Sequence, residues 1–178
     1  FCLVWHKGGL IMAATYTPIA TASGTGSSGT VSFTSIPSTY TDLICIGLIR
    51  SSTTTSTMRY RYNGATTNYS ATTLYGTGSA AGSFRTTGET GIYGIGGANA
   101  YVPSASNTFT NFNLYIFNYA NTTTYKTSIL RSGGAGDAEV NVGLWRATPT
   151  AINQLDLVLN TGNFTSDCTF TLYGILAA

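Results

Sequence analysis

Residues 42–50 read Asp-Leu-Ile-Cys-Ile-Gly-Leu-Ile-Arg, a run that is apolar at nearly every position. A half-exposed strand alternates apolar and polar residues, whereas a strand covered on both faces is apolar throughout. The run therefore predicts a strand in the middle of a packed β-domain. Residues 108–119 carry apolar or aromatic side chains on both faces and predict a second strand of the same kind.

The next segments predict a hairpin. Residues 57–63 place Met58, Tyr60 and Tyr62 on one side of a strand and two arginines on the other. This strand ends at Asn63-Gly64, a residue pair typical of tight hairpin turns. Residues 69–76 are expected to return beside it as the second strand of the hairpin.

The rest of the chain also indicates strands, and no stretch of ten residues has helical periodicity. Further strands are predicted at 15–21, 29–36, 125–130, 139–146, 151–160 and 164–175. Their inward side chains are expected to include Val31, Phe33, Val140, Val142, Leu144, Leu155, Leu157, Leu159, Cys168, Phe170 and Leu172. Glycine-dense residues 76–100 are expected to form a long loop or irregular strand. These features predict an all-β, antiparallel, jelly-roll-like β-sandwich, with residues 12–178 as one domain.

The surface is expected to be neutral and polar. Charged residues make up 8% of the chain and the formal net charge is +2, with no basic cluster. Phosphate binding needs a concentrated basic face, so nucleic acid is not an expected partner. A surface with so little charge repulsion is suited to a protein that ends in an assembly.

Residues 1–11 allow two interpretations, because the chain opens without Met and a natural start is expected at Met12. Lys7-Gly8-Gly9 is what a purine-rich ribosome-binding sequence would encode, so these residues could be an untranslated leader. The alternative is an apolar N-terminal arm that inserts into a neighbouring subunit. The segment is too short to cross a membrane, and no membrane partner is expected.

Catalytic chemistry is poorly supported by the side chains present. The one histidine, His6, lies in the doubtful leader, which argues against a Ser-His-Asp or Cys-His site. The six carboxylates are Asp42, Glu89, Asp137, Glu139, Asp156 and Asp167, and each has a simpler role in a turn or on a strand face. The sequence therefore predicts a protein that is not an enzyme, with no metal site and no cofactor. Cys45 and Cys168 are expected to be buried thiols.

Five aromatic residues are candidate contacts for a protein interface or a glycan: Tyr60, Tyr62, Tyr69, Tyr75 and Trp145. Tyrosine and tryptophan offer large, rigid contact areas with a polar end, which suits both kinds of partner. The alternative is that they fill the core of the sandwich and keep their polar atoms at its edge.

Several segments together resemble one family of proteins. They are TYTPIAT at 15–21, VSFTSIPSTYTDL at 31–43, RYNG at 61–64, VGLWR at 142–146 and TLYGI at 171–175. Across residues 13–176 the chain resembles small virion structural proteins of tailed phages, especially marine and cyanobacterial phages. The resemblance implies a protein on the virion surface, assembled in the host cytoplasm.

Two functions are compatible with that resemblance. The first is a capsid decoration or cement protein, a homotrimer that binds the major capsid protein or other virion proteins. The alternative is the tip of a head or tail fibre that binds host surface polysaccharide.

Overall fold

The computed structural model describes residues 15–96, 101–134 and 136–176, and every regular element in that part of the chain is a β-strand. The expectation for residues 1–11 lies outside the described residues. The strands are β1 (Tyr16–Ser23), β2 (Thr30–Phe33), β3 (Asp42–Ile49), β4 (Met58–Tyr62), β5 (Tyr69–Gly76), β6 (Ala81–Glu89), β7 (Ile92–Ile95), β8 (Thr110–Phe117), β9 (Lys126–Gly133), β10 (Ala138–Trp145), β11 (Leu155–Leu159) and β12 (Thr169–Ile175).

The strands form two antiparallel sheets that pack together, as predicted. The larger sheet has eight strands in the order β1-β12-β3-β8-β9-β10-β5-β6, and the smaller has four in the order β2-β11-β4-β7. Without the strand pairs β5–β6 and β9–β10, the remaining eight strands form sheets β1-β12-β3-β8 and β2-β11-β4-β7. That arrangement is the strand order of a jelly roll. The two added pairs widen one of its sheets.

One hydrophobic cluster fills the space between the sheets and draws on both. In the small sheet, Val31 and Phe33 of β2 and Met58 of β4 point inward, as the alternation predicts. Leu155, Leu157 and Leu159 of β11 and Phe170 and Leu172 of β12 do the same. Alternation with a period of two therefore identified the inner faces of these strands correctly.

The predicted hairpin between residues 57–63 and 69–76 is wrong. Asn63 and Gly64 do form a turn with positive φ angles of 53° and 67°. However, β5 lies in the large sheet between β10 and β6, while both edges of β4 are occupied by β11 and β7. The Asn63 side chain bonds to Ala151, Asn153 and Gln154 instead, so it fastens the loop before β11.

Residues 76–100 are expected to form a long loop or an irregular strand, and the described residues 76–96 are mostly strand rather than loop. They contain β6, which pairs with β5 along its length, and β7, which pairs with β4. The side chains of β6 alternate between exposed and half-buried, with few large apolar residues among them. Backbone pairing along the edge of the large sheet holds this strand in place, and the sparse apolar pattern did not reveal it.

The strands predicted to be covered on both faces are fully covered on one face and only partly covered on the other. Ile46 and Leu48 of β3 are 42% and 41% exposed, and Phe117 of β8 is 42% exposed. The opposite faces of both strands are buried in the core. The second face is only partly covered: Ile44 of β3 is 2% exposed there, whereas Ile46, Leu48 and Phe117 remain at the surface.

Strand β10 faces the opposite way to its prediction. Its buried side chains are Glu139, Asn141 and Trp145, together with Gly143, whereas Val142 is 53% exposed. The inward position of Gly143 has no room for a larger residue, because a Cβ atom there would come within 2.6 Å of Ile92 and 2.7 Å of the Tyr60 hydroxyl. The inner face of β10 is therefore polar or small, and its apolar face is the outer one.

Candidate functional site

Four of the five aromatic candidates are core residues. Tyr60, Tyr62 and Tyr69 are fully buried and Trp145 is 4% exposed, so none of the four offers a surface to a partner. Trp145 stacks on Tyr69 with ring centroids 5.9 Å apart, and Tyr62 contacts both rings. Tyr75, near the end of β5, is half-buried. Core filling, the alternative left open by the sequence, describes the other four.

Burial of these tyrosines makes the fold sensitive to alkali. Burial raises the pKa of Tyr69 to about 12, and it raises the pKa of Tyr60 and Tyr62 as well. A tyrosine in the unfolded chain titrates near 10. The raised pKa values contribute stability below about pH 10 that is lost as the pH rises toward the folded values.

We therefore expect cooperative unfolding between about pH 10 and 12, coincident with ionisation of the buried tyrosines. Circular dichroism and phenolate absorbance, followed in one alkaline titration, test this expectation. Ionisation of all tyrosines near pH 10 with the β-sheet signal intact would contradict it.

The carboxylates that could have formed a catalytic pair are separated by the sandwich. Glu139 points into the interior from the large sheet, where its Oε2 accepts the Gly96 N–H at 3.3 Å. Asp156 points away from the interior on the small sheet and accepts the Ser32 hydroxyl at 2.6 Å. Asp137 lies in the loop between β9 and β10, where burial raises the pKa of its carboxyl. The three therefore do not share one groove.

The cysteine prediction is confirmed for the two cysteines in the described chain. Cys45 and Cys168 are both buried and unpaired. Burial raises the pKa of the Cys45 thiol, which keeps it in its unreactive protonated form.

The outer face of the large sheet, meaning the side chains that point away from the small sheet, is rich in apolar groups. Its large exposed hydrophobic side chains include Ile46 (42%), Leu48 (41%), Leu74 (57%), Phe117 (42%) and Val142 (53%). The strand register also aligns Tyr173, Ile44, Tyr115, Ile129 and Val142 as successive cross-strand partners. Val142 is exposed and Ile44 is buried, while the other three are half-buried. We call these five residues the apolar row. At a strand spacing of about 4.8 Å, the row is about 19 Å long.

An aromatic cluster lies at one end of the apolar row. The rings of Tyr16 and Tyr173 meet edge to face at 6.5 Å, and those of Tyr115 and Phe117 stack at 6.5 Å. A hydrogen bond with Tyr16 raises the pKa of Tyr115 and links the two pairs. Aromatic side chains are enriched in protein interfaces, and this cluster has the composition of one.

Few charges interrupt the outer face. The charged residues that its strands direct outward are Asp42, Arg85 and Arg131. The Arg131 guanidinium lies 5.6 Å from the centre of the Tyr115 ring, so its charge borders the apolar row. Exposed apolar patches on monomeric proteins often mark interaction sites, so the exposed apolar side chains of the outer face make it a candidate interface.

A second surface feature is a groove of about 610 Å³ where β6 of the large sheet passes β7 of the small sheet. Its aromatic residues are Phe84, Tyr93 and Tyr101, and its polar residues include Thr57, Thr86 and Asn160. We call this feature the edge groove. Its volume lies within the range of about 300 to 1,000 Å³ that is typical of ligand sites.

Arg59 lies along the edge groove and is held on several sides. Its guanidinium carbon is 4.1 Å from the centre of the Tyr93 ring, and its Nη2 donates to the Tyr93 hydroxyl. Its Nη1 donates to Glu89 Oε2 at 3.0 Å and to Thr90 Oγ1 at 3.1 Å. Phe84 meets the Tyr93 ring edge to face at 6.4 Å. This part of the groove is therefore preorganised.

The polar inner face of β10 holds β7 in position beneath the edge groove. Asn141 donates from Nδ2 to the Gly94 carbonyl at 2.9 Å, and its Oδ1 accepts the Thr73 hydroxyl. Glu139, two residues before Asn141 on β10, accepts a hydrogen bond from the N–H of Gly96, two residues after Gly94. Tyr93 immediately precedes Gly94 and pairs with Arg59 of β4, and its side chain lines the edge groove.

No sequence pattern pointed to the groove residues. Phe84, Tyr93 and Tyr101 all lie within or beside the glycine-dense stretch expected to be a long loop or irregular strand. A short alternation from Ser83 to Thr86 was the available signal, but its one large apolar residue is too weak a pattern to identify a strand.

Among residues 15–96, 101–134 and 136–176, no cluster of three His, Cys, Asp or Glu side chains is arranged to hold a metal ion. The same residues contain no helix of the length and hydrophobicity needed to span a membrane. Comparisons of the chain with protein-family models, curated proteins and solved structures each gave no match.

Proposed function

We propose that this chain is a virion structural protein that decorates a tailed-phage capsid, and that it docks on the shell through the outer face of its large sheet. The observation that carries the proposal is the apolar row, together with the exposed hydrophobic side chains around it. The sequence resemblance to small phage virion proteins supplies the setting. The major capsid protein is the proposed partner.

The chemistry of the outer face supports a broad contact better than a catalytic or small-ligand role. Val142 is exposed on β10, the third strand from one edge of the sheet, and Leu74 is exposed on the neighbouring strand β5. Removing such side chains from water contributes about 25 cal/mol per Å² before the costs of association. The outward charged residues of the sheet's strands are Asp42, Arg85 and Arg131, so few ions need to be desolvated on docking.

Substitution of Val142 with aspartate tests this role. The side chain is outside the core, so the fold should tolerate the change, whereas docking would bury an unpaired carboxylate against apolar groups. We expect the amount of the variant in purified particles to fall by about tenfold or more. Quantitative mass spectrometry of purified virions measures it.

Thr30→Asp is the matched control, because Thr30 is an exposed strand residue that points outward from the small sheet. It should enter particles as the wild type does. Normal incorporation of Val142→Asp would overturn the docking surface. A copy number that is small and fixed, rather than proportional to the number of capsid subunits, would favour a fibre tip over decoration.

The proposed homotrimer has a separate readout. Sedimentation equilibrium of the purified full chain gives its mass in solution, and a trimeric mass supports the assembly inferred from the resemblance. A monomer at all accessible concentrations would remove the trimer from the proposal while leaving the shell-docking test as it stands.

A further inference from the structure

We infer that the edge groove binds an uncharged segment of a polysaccharide. This inference goes beyond the assembly role, because docking uses the outer face of the large sheet whereas the groove lies where β6 passes β7. The two surfaces could therefore be used at the same time.

The aromatic side chains of the groove suit the shape of a sugar. A pyranose ring has a C–H face that packs on aromatic rings and a rim of hydroxyls that form hydrogen bonds. Tyr101 is 40% exposed and offers ring surface, while the half-buried Phe84 and Tyr93 extend the aromatic lining. Val102, fully buried and bonded through its N–H to the Ser56 carbonyl at 2.8 Å, fixes the backbone beside Tyr101.

Two buried polar atoms on groove-lining residues lack hydrogen-bond partners. They are Thr86 Oγ1 and Arg59 Nε, and neither has a partner within the described part of the chain. Each atom is closed to solvent in the unbound groove, so a ligand hydroxyl can supply the missing hydrogen bond only when the side chain turns toward the groove. Arg59 Nε can only donate, whereas the Thr86 hydroxyl can donate or accept. This combination matches sugar hydroxyls, which do both.

The charge of the groove selects against acidic sugars. Arg59 is the only charged residue among the described lining residues, and its charge is already matched by Glu89 at 3.0 Å. A uronic acid would have to compete with Glu89 for this guanidinium. The inference concerns binding alone, because hydrolysis of a glycoside uses a pair of carboxylates and the described lining supplies none.

A glycan-binding measurement on the full chain tests the inference. The probes are neutral hexasaccharides of glucose, mannose and galactose, with hexasaccharides of uronic acids in parallel, and affinity is measured by calorimetry. We expect at least one neutral probe to bind and Tyr101→Ala to weaken it by about tenfold, as loss of an aromatic contact would. Tyr125→Ala is the control, since Tyr125 is 52% exposed outside the groove and should leave affinity unchanged.

The Thr86→Val variant separates a role of the Thr86 hydroxyl in binding from a role in stability. It replaces an unpartnered hydroxyl by a methyl group of similar shape, so stability should be kept while affinity falls several-fold. Absence of binding by every neutral probe would overturn the inference, as would a preference for the uronic acids. Wild-type affinity in Tyr101→Ala would also overturn it. Since Val142 is outside the groove, Val142→Asp should bind the sugar normally, which keeps this test separate from that of docking.

Discussion

Replacement of Trp145 with alanine is expected to lower the free energy of unfolding by about 3 to 5 kcal/mol, the range for removing a large aromatic side chain from a packed core. Trp145 is 4% exposed and stacks on Tyr69, and its ring also contacts Tyr62 at 5.7 Å. Alanine would leave a cavity next to two large rings that cannot move in to fill it. Urea unfolding followed by circular dichroism measures the loss.

Tyr75→Ala is the matched control, because Tyr75 is half-buried and contacts the Phe84 ring at the end of β5. We expect it to cost about 1 kcal/mol, as an ordinary substitution does. The comparison separates the two interpretations of the aromatic candidates. If Trp145→Ala unfolds at the wild-type urea concentration but loses its place in the particle, Trp145 is a contact residue and its assignment to the core is wrong.

The contact between Trp145 and Tyr69 shows what the alternation of side chains along a strand can and cannot predict. The pattern of residues 57–63 placed three large side chains on one side of β4, and the structure buries that side. It gave no reason to expect that Tyr69 and Trp145, distant in sequence, would pack on the same side. That contact depends on the pairing of β5 with β10, which aligns Tyr69 with Trp145.

Strand β10 shows that periodicity gives two faces but does not say which one is inward. Val140, Val142 and Leu144 form one face, and hydrophobicity alone predicts that this face is buried. The other face is inward because Asn141 satisfies a backbone carbonyl of β7 and Gly143 leaves room for Ile92. Both reasons are tertiary contacts, and neither can be read from the strand itself.

The same limit explains β3 and β8. Their continuous apolar sequence predicted cover on both faces, since exposed apolar side chains are unfavourable in an isolated monomer. The structure leaves Ile46, Leu48 and Phe117 exposed. If the docking proposal is right, the sequence pattern describes the assembled state, in which the second cover is another protein.

Substitution of Asn141 with leucine tests how the interior supports the edge groove. Asn141 is fully buried, and its amide joins the Thr73 hydroxyl of β5 to the Gly94 carbonyl of β7. Leucine has a similar size but no polar atoms, so both partners would be buried without hydrogen bonds. At about 1 to 3 kcal/mol for each, we expect the free energy of unfolding to fall by about 2 to 6 kcal/mol. Asn111→Leu on the exposed face of β8 is the control and should change stability by about 0.5 kcal/mol or less.

The effect on β7 distinguishes this support from general destabilisation. Hydrogen exchange should accelerate most at the amides of β7, since the Asn141 bond to Gly94 is lost while the Glu139 bond to Gly96 and the pairing with β4 remain. Adding Thr73→Val to Asn141→Leu removes one of the two polar groups that Asn141→Leu leaves without a partner. The double variant should therefore lose less free energy of unfolding than the two single variants lose together. Uniform exchange across both sheets, with additive costs, would show that Asn141 fills space and does not position Tyr93. In that case the position of the Tyr93 ring in the edge groove would depend only on its contacts with Arg59 of β4 and Phe84 of β6.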